Sequence, residues 1–266
     1  MTTLDGTPIW FELTTADQDR AQGFYQDVAG WTVAAVPGQE LGGYRLANAA
    51  DGQGVAGIAS PPPGKAGNLG WTMYLSASDP DAKANEITAA GGAIHFGPID
   101  IPGIGRFASC ADPQGVAFNI MRGESRKGST AFKPMAGGAG DGHATWVELA
   151  TPDPDGALAF YGPLFGWTKL GSMPMGAMGD YVFFGRSEND RPGAIMSSKT
   201  TGTQPQWKTY FQVADIDATV ANVKADGGKL LQGPDEIPGG SFSINIADGE
   251  GHQVGFVGQR RDKLKG

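Results

Sequence analysis

The sequence predicts an α+β fold made of two tandem copies of one domain, and three observations lead to this prediction. Residues 10–31 return almost letter for letter at 146–167, and the same offset relates Trp71 to Trp207. Each copy has, twice over, the pattern of a strand, a helix and three further strands, so the chain holds four βαβββ motifs. A chain of 266 residues is long enough for two domains that each bury their own core.

The first motif of each copy opens with a strand and a capped helix. Residues 9–13 alternate in polarity and are rich in aromatic and β-branched side chains, as is typical of a strand. Asp17 can cap the helix that follows, and Gly30 can end it. The second copy repeats this pattern, but Pro163 predicts that its helix stops or tightens near Tyr161.

Short strands separated by glycine-rich turns are predicted after this helix. They are expected around 32–36, 43–48 and 54–59, and again near 168–173, 180–186 and 193–197. The second motif of each copy begins with a strand at 71–77 or 207–213 and continues into a helix. A turn with the sequence DPQG or DGEG then predicts the last hairpin of the copy.

These patterns divide the chain into four segments. The first domain is expected at 1–122 and the second at 143–260. Residues 123–142 are rich in glycine, serine and charge, which is typical of an exposed linker, and 261–266 form a charged tail.

The overall charge excludes some classes of partner. The chain has 28 acidic and 20 basic residues, a net charge of −8 and an estimated pI of 4.8. Such a chain repels phosphate backbones and anionic lipid, so neither nucleic acid nor membrane is expected as a partner. The start of the chain has no secretory signal pattern, and the protein is expected to be cytoplasmic. Cys110, the only cysteine, is expected to be a small buried residue.

The two copies, each made of two βαβββ motifs, have the residues FY and GW after their first strand and a DP.G-like turn before their last strand. In this they resemble the vicinal oxygen chelate superfamily, which contains glyoxalase I, bleomycin resistance proteins and ring-cleaving dioxygenases. The similarity covers 7–122 and 143–258, and it is greatest to tandem two-domain glyoxalase-like proteins. It implies that the paired motifs of each domain form a curved mixed sheet around a cavity.

The resemblance also implies where metal-dependent members hold their ion, with two histidines and a carboxylate on three strands. The corresponding positions here are Trp10, Thr72 and Asn119, and in the second copy Trp146, Lys208 and Gly255. A tryptophan has no lone pair to offer to iron, zinc or nickel. The sequence therefore predicts cavities without the usual metal and without a cofactor, although a metal site built from unusual ligands stays open as an alternative.

Strand alternation places further side chains in the same cavities. The catalytic candidates are Glu12, Glu148, Tyr74 and Tyr210. The ligand-binding candidates are Trp10, Thr72, Asn119, Trp146, Lys208 and Gln212. A glutamate in a partly apolar cleft can act as a general base beside a tyrosine, or it can simply accept hydrogen bonds that hold the sheet together. Lys208 is expected to be an exposed lysine that caps Glu148.

The paired tryptophans at 10, 71, 146 and 207 suggest flat-walled pockets for planar molecules. The sequence thus favours a protein that binds a small apolar or aromatic metabolite in metal-independent cavities. The alternative is a metal-free lyase or isomerase that uses a cavity glutamate as its base, and a metal-dependent glyoxalase or dioxygenase is less favoured. Whether the protein is an enzyme stays open. It is expected to be a monomer or a homodimer.

Overall fold

The computed structural model describes residues 3–37, 43–61, 69–125, 128–135 and 140–260. The first repeat contains β1 (Pro8–Thr14), α1 (Gln18–Ala29), β2 (Thr32–Ala35), β3 (Arg45–Asn48), β4 (Gly54–Ala59), β5 (Gly70–Ser76), α2 (Pro80–Ala89), β6 (Ala93–Ile101), β7 (Gly105–Ala111) and β8 (Ala117–Gly123). The second contains β9 (Ala144–Thr151), α3 (Pro154–Phe165), β10 (Thr168–Pro174), β11 (Asp180–Gly185), β12 (Gly193–Ser197), α4 (Ser198–Thr201), β13 (Gln206–Asp215), α5 (Ile216–Ala225), β14 (Lys229–Glu236), β15 (Phe242–Ala247) and β16 (Gln253–Gln259). Within these ranges, no helix has both the length and the apolar character needed to cross a membrane.

Each repeat forms one mixed sheet of eight strands. The order is β2-β3-β4-β1-β5-β8-β7-β6 in the first sheet and β10-β11-β12-β9-β13-β16-β15-β14 in the second. The two orders are the same when the second repeat is numbered from its own first strand, so the duplication has kept the topology. The predicted α+β class and the paired βαβββ motifs are confirmed.

The chain forms two compact units, and each unit contains segments of both repeats. Unit 1 consists of Met1–Trp10, Thr72–Ser129 and Trp146–Lys208. Unit 2 consists of Phe11–Trp71, Thr130–Thr145 and Thr209–Gly266. The linear domain boundaries expected from the sequence stay a prediction, and the expected tail at 261–266 lies outside the described residues.

The first helix of each repeat ends at a glycine in the left-handed region, Gly30 in one repeat and Gly166 in the other, both with φ 69°. Helix α3 continues through Pro163 to Phe165, so the predicted stop near Tyr161 was wrong. The ring of a proline clashes with the Cβ of the residue before it when that residue is helical. Here that residue is Gly162, which has no Cβ, and the helix can run one further turn.

In unit 1, Tyr161 of α3 is joined to the hairpin between β7 and β8. Its hydroxyl donates to Asp112 Oδ2 at 3.2 Å and accepts from Trp207 Nε1 at 3.0 Å. Asp112 also accepts from the backbone N–H groups of Gln114 and Val116. Burial raises the pKa of both Tyr161 and Asp112. The repeated FY residues and the DP.G-like turn therefore form a structural link, and Trp207 is buried in the core beside it.

Unit 2 contains the same link with a histidine added to it. Tyr25 donates to Asp248 Oδ2 at 3.1 Å and accepts from Trp71 Nε1 at 2.9 Å. His252 Nδ1 lies 3.0 Å from Asp248 Oδ2, whereas Val116 takes the place of His252 in unit 1. Hydrogen bonding to Asp248 raises the pKa of His252. Burial pushes the pKa of Asp248 upward, but the hydrogen bond and charge of His252 outweigh it, so this pKa is lowered.

The substitution His252→Val is expected to make the stability of the protein less dependent on pH. A raised histidine pKa contributes stability that is complete below its ordinary value of about 6.5 and is lost as the pH rises through the raised value. The lowered pKa of Asp248 contributes stability that is present above about 3.9 and is lost as the pH falls through the lowered value. The variant should therefore lose most stability near about pH 5 and least near about pH 9. Urea unfolding across this range measures the difference.

His95→Val is the control, because it removes an exposed histidine from a strand. Its unfolding curves should follow those of the parent protein at every pH. Arg20 and Glu250 are charged residues close to Asp248, and both are kept in the two variants. Equal losses for His252→Val at both ends of the pH range would contradict the assigned role of the pair.

Cys110 lies on β7 in the core of unit 1. Its side chain is fully buried, and burial raises its pKa to about 12. A thiol needs to ionise near neutral pH to be a good nucleophile. Cys110 therefore serves as a small core residue, as expected.

Candidate functional site

Three site residues predicted from the second repeat lie close to one another in unit 1, together with a fourth residue, Tyr181. Trp146 and Glu148 lie on β9, Tyr181 on β11 and Lys208 on β13. Trp146 Nε1 donates to the Tyr181 hydroxyl at 2.8 Å, and this hydroxyl donates to Glu148 Oε2 at 2.8 Å. Lys208 Nζ lies 3.8 Å from Glu148 Oε1. We refer to these four residues as the Glu148 cluster.

Strand alternation and register put the cluster on one face of the sheet. Val147 and Leu149 are fully buried in the core, so Trp146 and Glu148 between and beside them face the other side. Glu148 is paired in register with Ala194 of β12. Because alanine is small, it leaves room for a tyrosine of β11 to reach across β12 to the carboxylate.

The Glu148 cluster contains a buried ion pair, and more exposed aromatic side chains lie at its edge. The side chain of Glu148 is 10% exposed and that of Lys208 is 8% exposed, whereas Trp146 is only half-buried. The Arg191 guanidinium carbon lies 4.8 Å from the ring centre of Phe183 and 6.0 Å from that of Trp146. Two desolvated charges are costly unless they are well paired, and aromatic faces beside them suit a planar ligand.

One expectation about this cluster is wrong. Lys208 was expected to be exposed, but it is buried beside Glu148, because it lies on β13, an inner strand with β9 on one side and β16 on the other. The tyrosine that donates to Glu148 is Tyr181, which lies outside the catalytic and ligand-binding candidates named from the sequence. Tyr181 and Phe183 are two residues apart on β11, and this spacing in the sequence places both side chains on one face of the sheet.

Tyr210 and Gln212, two other predicted site residues, belong to unit 2. Tyr210 is buried and packs over Gly255, its partner in register, so closely that a Cβ at position 255 would overlap the tyrosine ring. Gln212 is half-buried and pairs in register with Val257. Their catalytic and binding roles stay predictions.

In the first repeat, Glu12 and Tyr44 belong to unit 2. It pairs in register with Gly57, and the hydroxyl of Tyr44 lies over Gly57 so closely that a Cβ there would overlap it. Glu12 is half-buried, whereas Glu148 is buried. The first repeat therefore also has a glutamate and a tyrosine on these strands, but its glutamate is more exposed to solvent than Glu148.

Unit 1 holds the other predicted residues of the first repeat. Trp10 and Thr72 are half-buried, and Tyr74 and Asn119 are buried partners in register on β5 and β8. Thr72 stands where the second repeat has Lys208, so the first repeat has no counterpart of that ammonium. The two repeats are thus chemically unequal at equivalent positions.

In the second repeat, two of the residues at the positions implied for metal ligands do not fit a metal ion. The Trp146 nitrogen donates a hydrogen bond to Tyr181, and Lys208 brings an ammonium group beside Glu148. An N–H group and an ammonium cannot coordinate iron, zinc or nickel. Among the described residues, no three His, Cys, Asp or Glu side chains are grouped closely enough to hold a metal ion.

Comparison with known proteins supports the resemblance seen in the sequence. The family model of the glyoxalase/bleomycin resistance protein/dioxygenase superfamily matches residues 8–120 and 143–256. The chain is 32% identical over 249 residues to CFP32 of Mycobacterium tuberculosis, which is provisionally named a glyoxylase, and the match covers 92% of both chains. It is also 32% identical over 254 residues to the anthracycline biosynthesis protein DauV of Streptomyces sp. strain C5, covering 88% of this chain and 87% of DauV.

Solved structures show the same fold. The halotolerant catechol dioxygenase BphC has a TM-score of 0.64 and 14% identity, with 96% of this chain and 87% of BphC covered. The Mn(II)-bound glyoxalase from Novosphingobium aromaticivorans has a TM-score of 0.61 and 18% identity, with 97% of this chain and 83% of the glyoxalase covered. At such identities the likeness concerns the fold alone. Together with the family match, these observations show that the chain belongs to the glyoxalase/bleomycin resistance protein/dioxygenase superfamily.

Proposed function

We propose that the second repeat binds a small planar organic molecule that carries an anionic oxygen, and that it does so without a metal ion. The observation that carries this proposal is the buried Glu148–Lys208 pair, which the Tyr181 hydroxyl links to the half-buried Trp146. A pocket with apolar walls and a few fixed polar groups is the usual form of a small-molecule site.

Lys208 supplies the positive charge in this proposal. The resemblance implies a metal ligand at its position, and the ammonium there provides a fixed positive charge, the same sign as that of a metal cation. A carboxylate or phenolate oxygen of the ligand can pair with this ammonium, while the ring of the ligand stacks on Trp146 or Phe183. Arg191, which lies over both rings, adds a second cation at the rim.

The geometry favours binding over proton abstraction by Glu148. One carboxylate oxygen accepts the Tyr181 hydrogen bond, and the other faces Lys208. A general base must reach the proton that it removes, at hydrogen-bond distance. Tyr181 or Lys208 would therefore have to move before Glu148 could act on a ligand.

The test compares 2-naphthoate with its neutral amide, 2-naphthamide, in calorimetric titrations of the full chain without added metal. The parent protein should prefer the carboxylate. Lys208→Met should weaken carboxylate binding about 10- to 100-fold and leave amide binding nearly unchanged, because it removes a charge-assisted contact. Trp146→Ala should weaken the binding of both probes, because it removes the stacking surface.

Lys199→Met, which removes an exposed lysine on α4, is the control and should bind like the parent protein. Equal affinities of the parent protein for the two probes would contradict the role of Lys208. A requirement for added divalent metal would contradict metal independence. Deuterium exchange beside the carbonyl of an aryl keto acid, lost in Glu148→Gln, would favour the lyase or isomerase alternative instead.

A further inference from the structure

The hairpin between β10 and β11 in unit 1 carries a group of three methionines. The chain has eight methionines, and Met173, Met175 and Met178 lie within six residues of one another. Met173 is on β10, and the other two lie in the turn that follows. Backbone hydrogen bonds close this turn: Met178 N donates to Met175 O at 3.2 Å, and Met175 N donates to Gly179 O at 2.8 Å. We call the three residues the methionine hairpin.

Strand register places this hairpin beside the Glu148 cluster. Met173 pairs in register with Tyr181, and cross-strand partners lie on the same face of a sheet. Tyr181 is the residue that donates to Glu148, so Met173 is on the face that carries the cluster. Met173 and Met175 are half-buried, and Met178 is 39% exposed. An oxidant in the solvent can therefore reach sulfur atoms next to the cluster.

The first repeat has no methionine at the corresponding positions. Its residues 36–44 correspond to 173–181, since both stretches contain nine residues and end in a tyrosine. Val36 N donates to Tyr44 O at 2.9 Å, as expected for the partners of a hairpin. Valine, glycine and leucine stand in the first stretch where the second has its three methionines. Since both repeats form the same strand order, the topology does not require thioethers here.

The sulfur of methionine can be oxidised by a peroxide. The O–O bond of the peroxide breaks, one oxygen atom is transferred to the sulfur, and the other leaves as water or, from an organic peroxide, as an alcohol. The sulfur is thereby oxidised to a sulfoxide, and the peroxide is reduced. The product is polar where the thioether was apolar, and methionine sulfoxide reductases can reverse the reaction.

Several other sulfur atoms of the described residues are buried. Cys110 is fully buried, and burial raises the pKa of its thiol to about 12, so little of the reactive thiolate forms. Met73 is 1% exposed and Met121 is 8% exposed. Oxidation should therefore reach the methionine hairpin before it reaches the core.

We propose that the methionine hairpin is an oxidation site that controls ligand binding at the Glu148 cluster, and this inference rests on the function proposed above. Converting Met173 to its sulfoxide puts a strong hydrogen-bond acceptor beside Tyr181, whose hydroxyl has a single proton and donates it to Glu148. The partial negative charge of the sulfoxide oxygen also disfavours an anionic ligand nearby. Peroxide is therefore expected to weaken ligand binding, and reduction is expected to restore it.

The test treats the full chain with hydrogen peroxide, maps the sulfoxides by peptide mass spectrometry and measures 2-naphthoate binding by calorimetry. Sulfoxides should form in the methionine hairpin about tenfold faster than at Met73 or Met121. The affinity for 2-naphthoate should then fall about tenfold, and it should return after treatment with methionine sulfoxide reductases specific for the two epimers.

The triple variant Met173→Leu/Met175→Leu/Met178→Leu keeps the apolar volume of the hairpin but cannot form sulfoxides there. Its affinity for 2-naphthoate should change less than about twofold on treatment with peroxide. Met135→Leu, which removes a half-buried methionine from unit 2, is the matched control and should lose affinity on treatment as the parent protein does.

Three outcomes would overturn the proposal. The first is oxidation of Met73 or Met121 before the methionine hairpin. The second is an oxidised hairpin with unchanged affinity for 2-naphthoate, or an equal loss of affinity in the triple variant. The third is a loss of affinity that thermal unfolding traces to a loss of the fold. A parent protein that binds 2-naphthoate and 2-naphthamide equally before any treatment would instead contradict the function proposed for the Glu148 cluster, and the order of oxidation would still test the oxidation site.

Discussion

Replacing Glu148 with glutamine is expected to lower the free energy of unfolding by about 3 kcal/mol, because it leaves the Lys208 ammonium buried without its counter-charge. The substitution keeps the size of the side chain, and the amide oxygen can still accept the Tyr181 hydrogen bond. The loss should therefore report the missing charge and not a cavity. Urea unfolding at constant pH measures it.

The double variant Glu148→Gln/Lys208→Met should recover most of this stability, since replacing both members of a buried ion pair by neutral groups is often nearly neutral. Glu12→Gln is the matched control, because Glu12 is half-buried and the first repeat has Thr72 where the second has Lys208. Its cost should stay within about 1 kcal/mol. Equal losses of stability for Glu148→Gln and Glu12→Gln would contradict the prediction. No recovery in the double variant would also contradict it, because Glu148 and Lys208 would then not act as a buried ion pair.

The substitution Gly193→Ala is expected to cost about 3 kcal/mol or more, because a Cβ at this position would overlap the backbone oxygen of Val147. Gly193 and Val147 are partners in register on β12 and β9. A backbone oxygen in the middle of a sheet cannot move aside as the end of a flexible side chain can. The next pair along these strands is Ala194 with Glu148, so the shift should also disturb the Glu148 cluster.

Thermal unfolding measures the cost, and the indole–tyrosine contact of the cluster can be followed by tryptophan fluorescence. Gly23→Ala is the control: Gly23 lies in helix α1, and a Cβ there would meet no atom within 4 Å. This variant should be as stable as the parent protein or more stable by up to about 1 kcal/mol, because alanine favours helix. A parent-like stability of Gly193→Ala would mean that β9 and β12 are farther apart at this pair.

Much of the fold follows from local signals that lie close together in the sequence. The duplication, the order of strands and helices, and glycine ends such as Gly30 depend on short spacing and on backbone preferences. The residues at the implied metal positions, Trp146 and Lys208 among them, could also be identified, because the repeat and the family motif align them. For these features the sequence by itself was sufficient.

Only the tertiary structure decided which side chains meet. Tyr25 bonds to Asp248 across 223 residues, and the sequence places these two in different repeats. Tyr181 reaches Glu148 because β11, β12 and β9 are neighbours and Ala194 between them is small, and the same packing buries Lys208. Side-chain periodicity tells which face of a strand a residue occupies, but it does not tell which strands lie side by side or how far a side chain reaches across them. That is why the sequence determined the repeated fold and the residues at the implied metal positions, while packing determined the Glu148–Lys208 ion pair and its hydrogen bond from Tyr181.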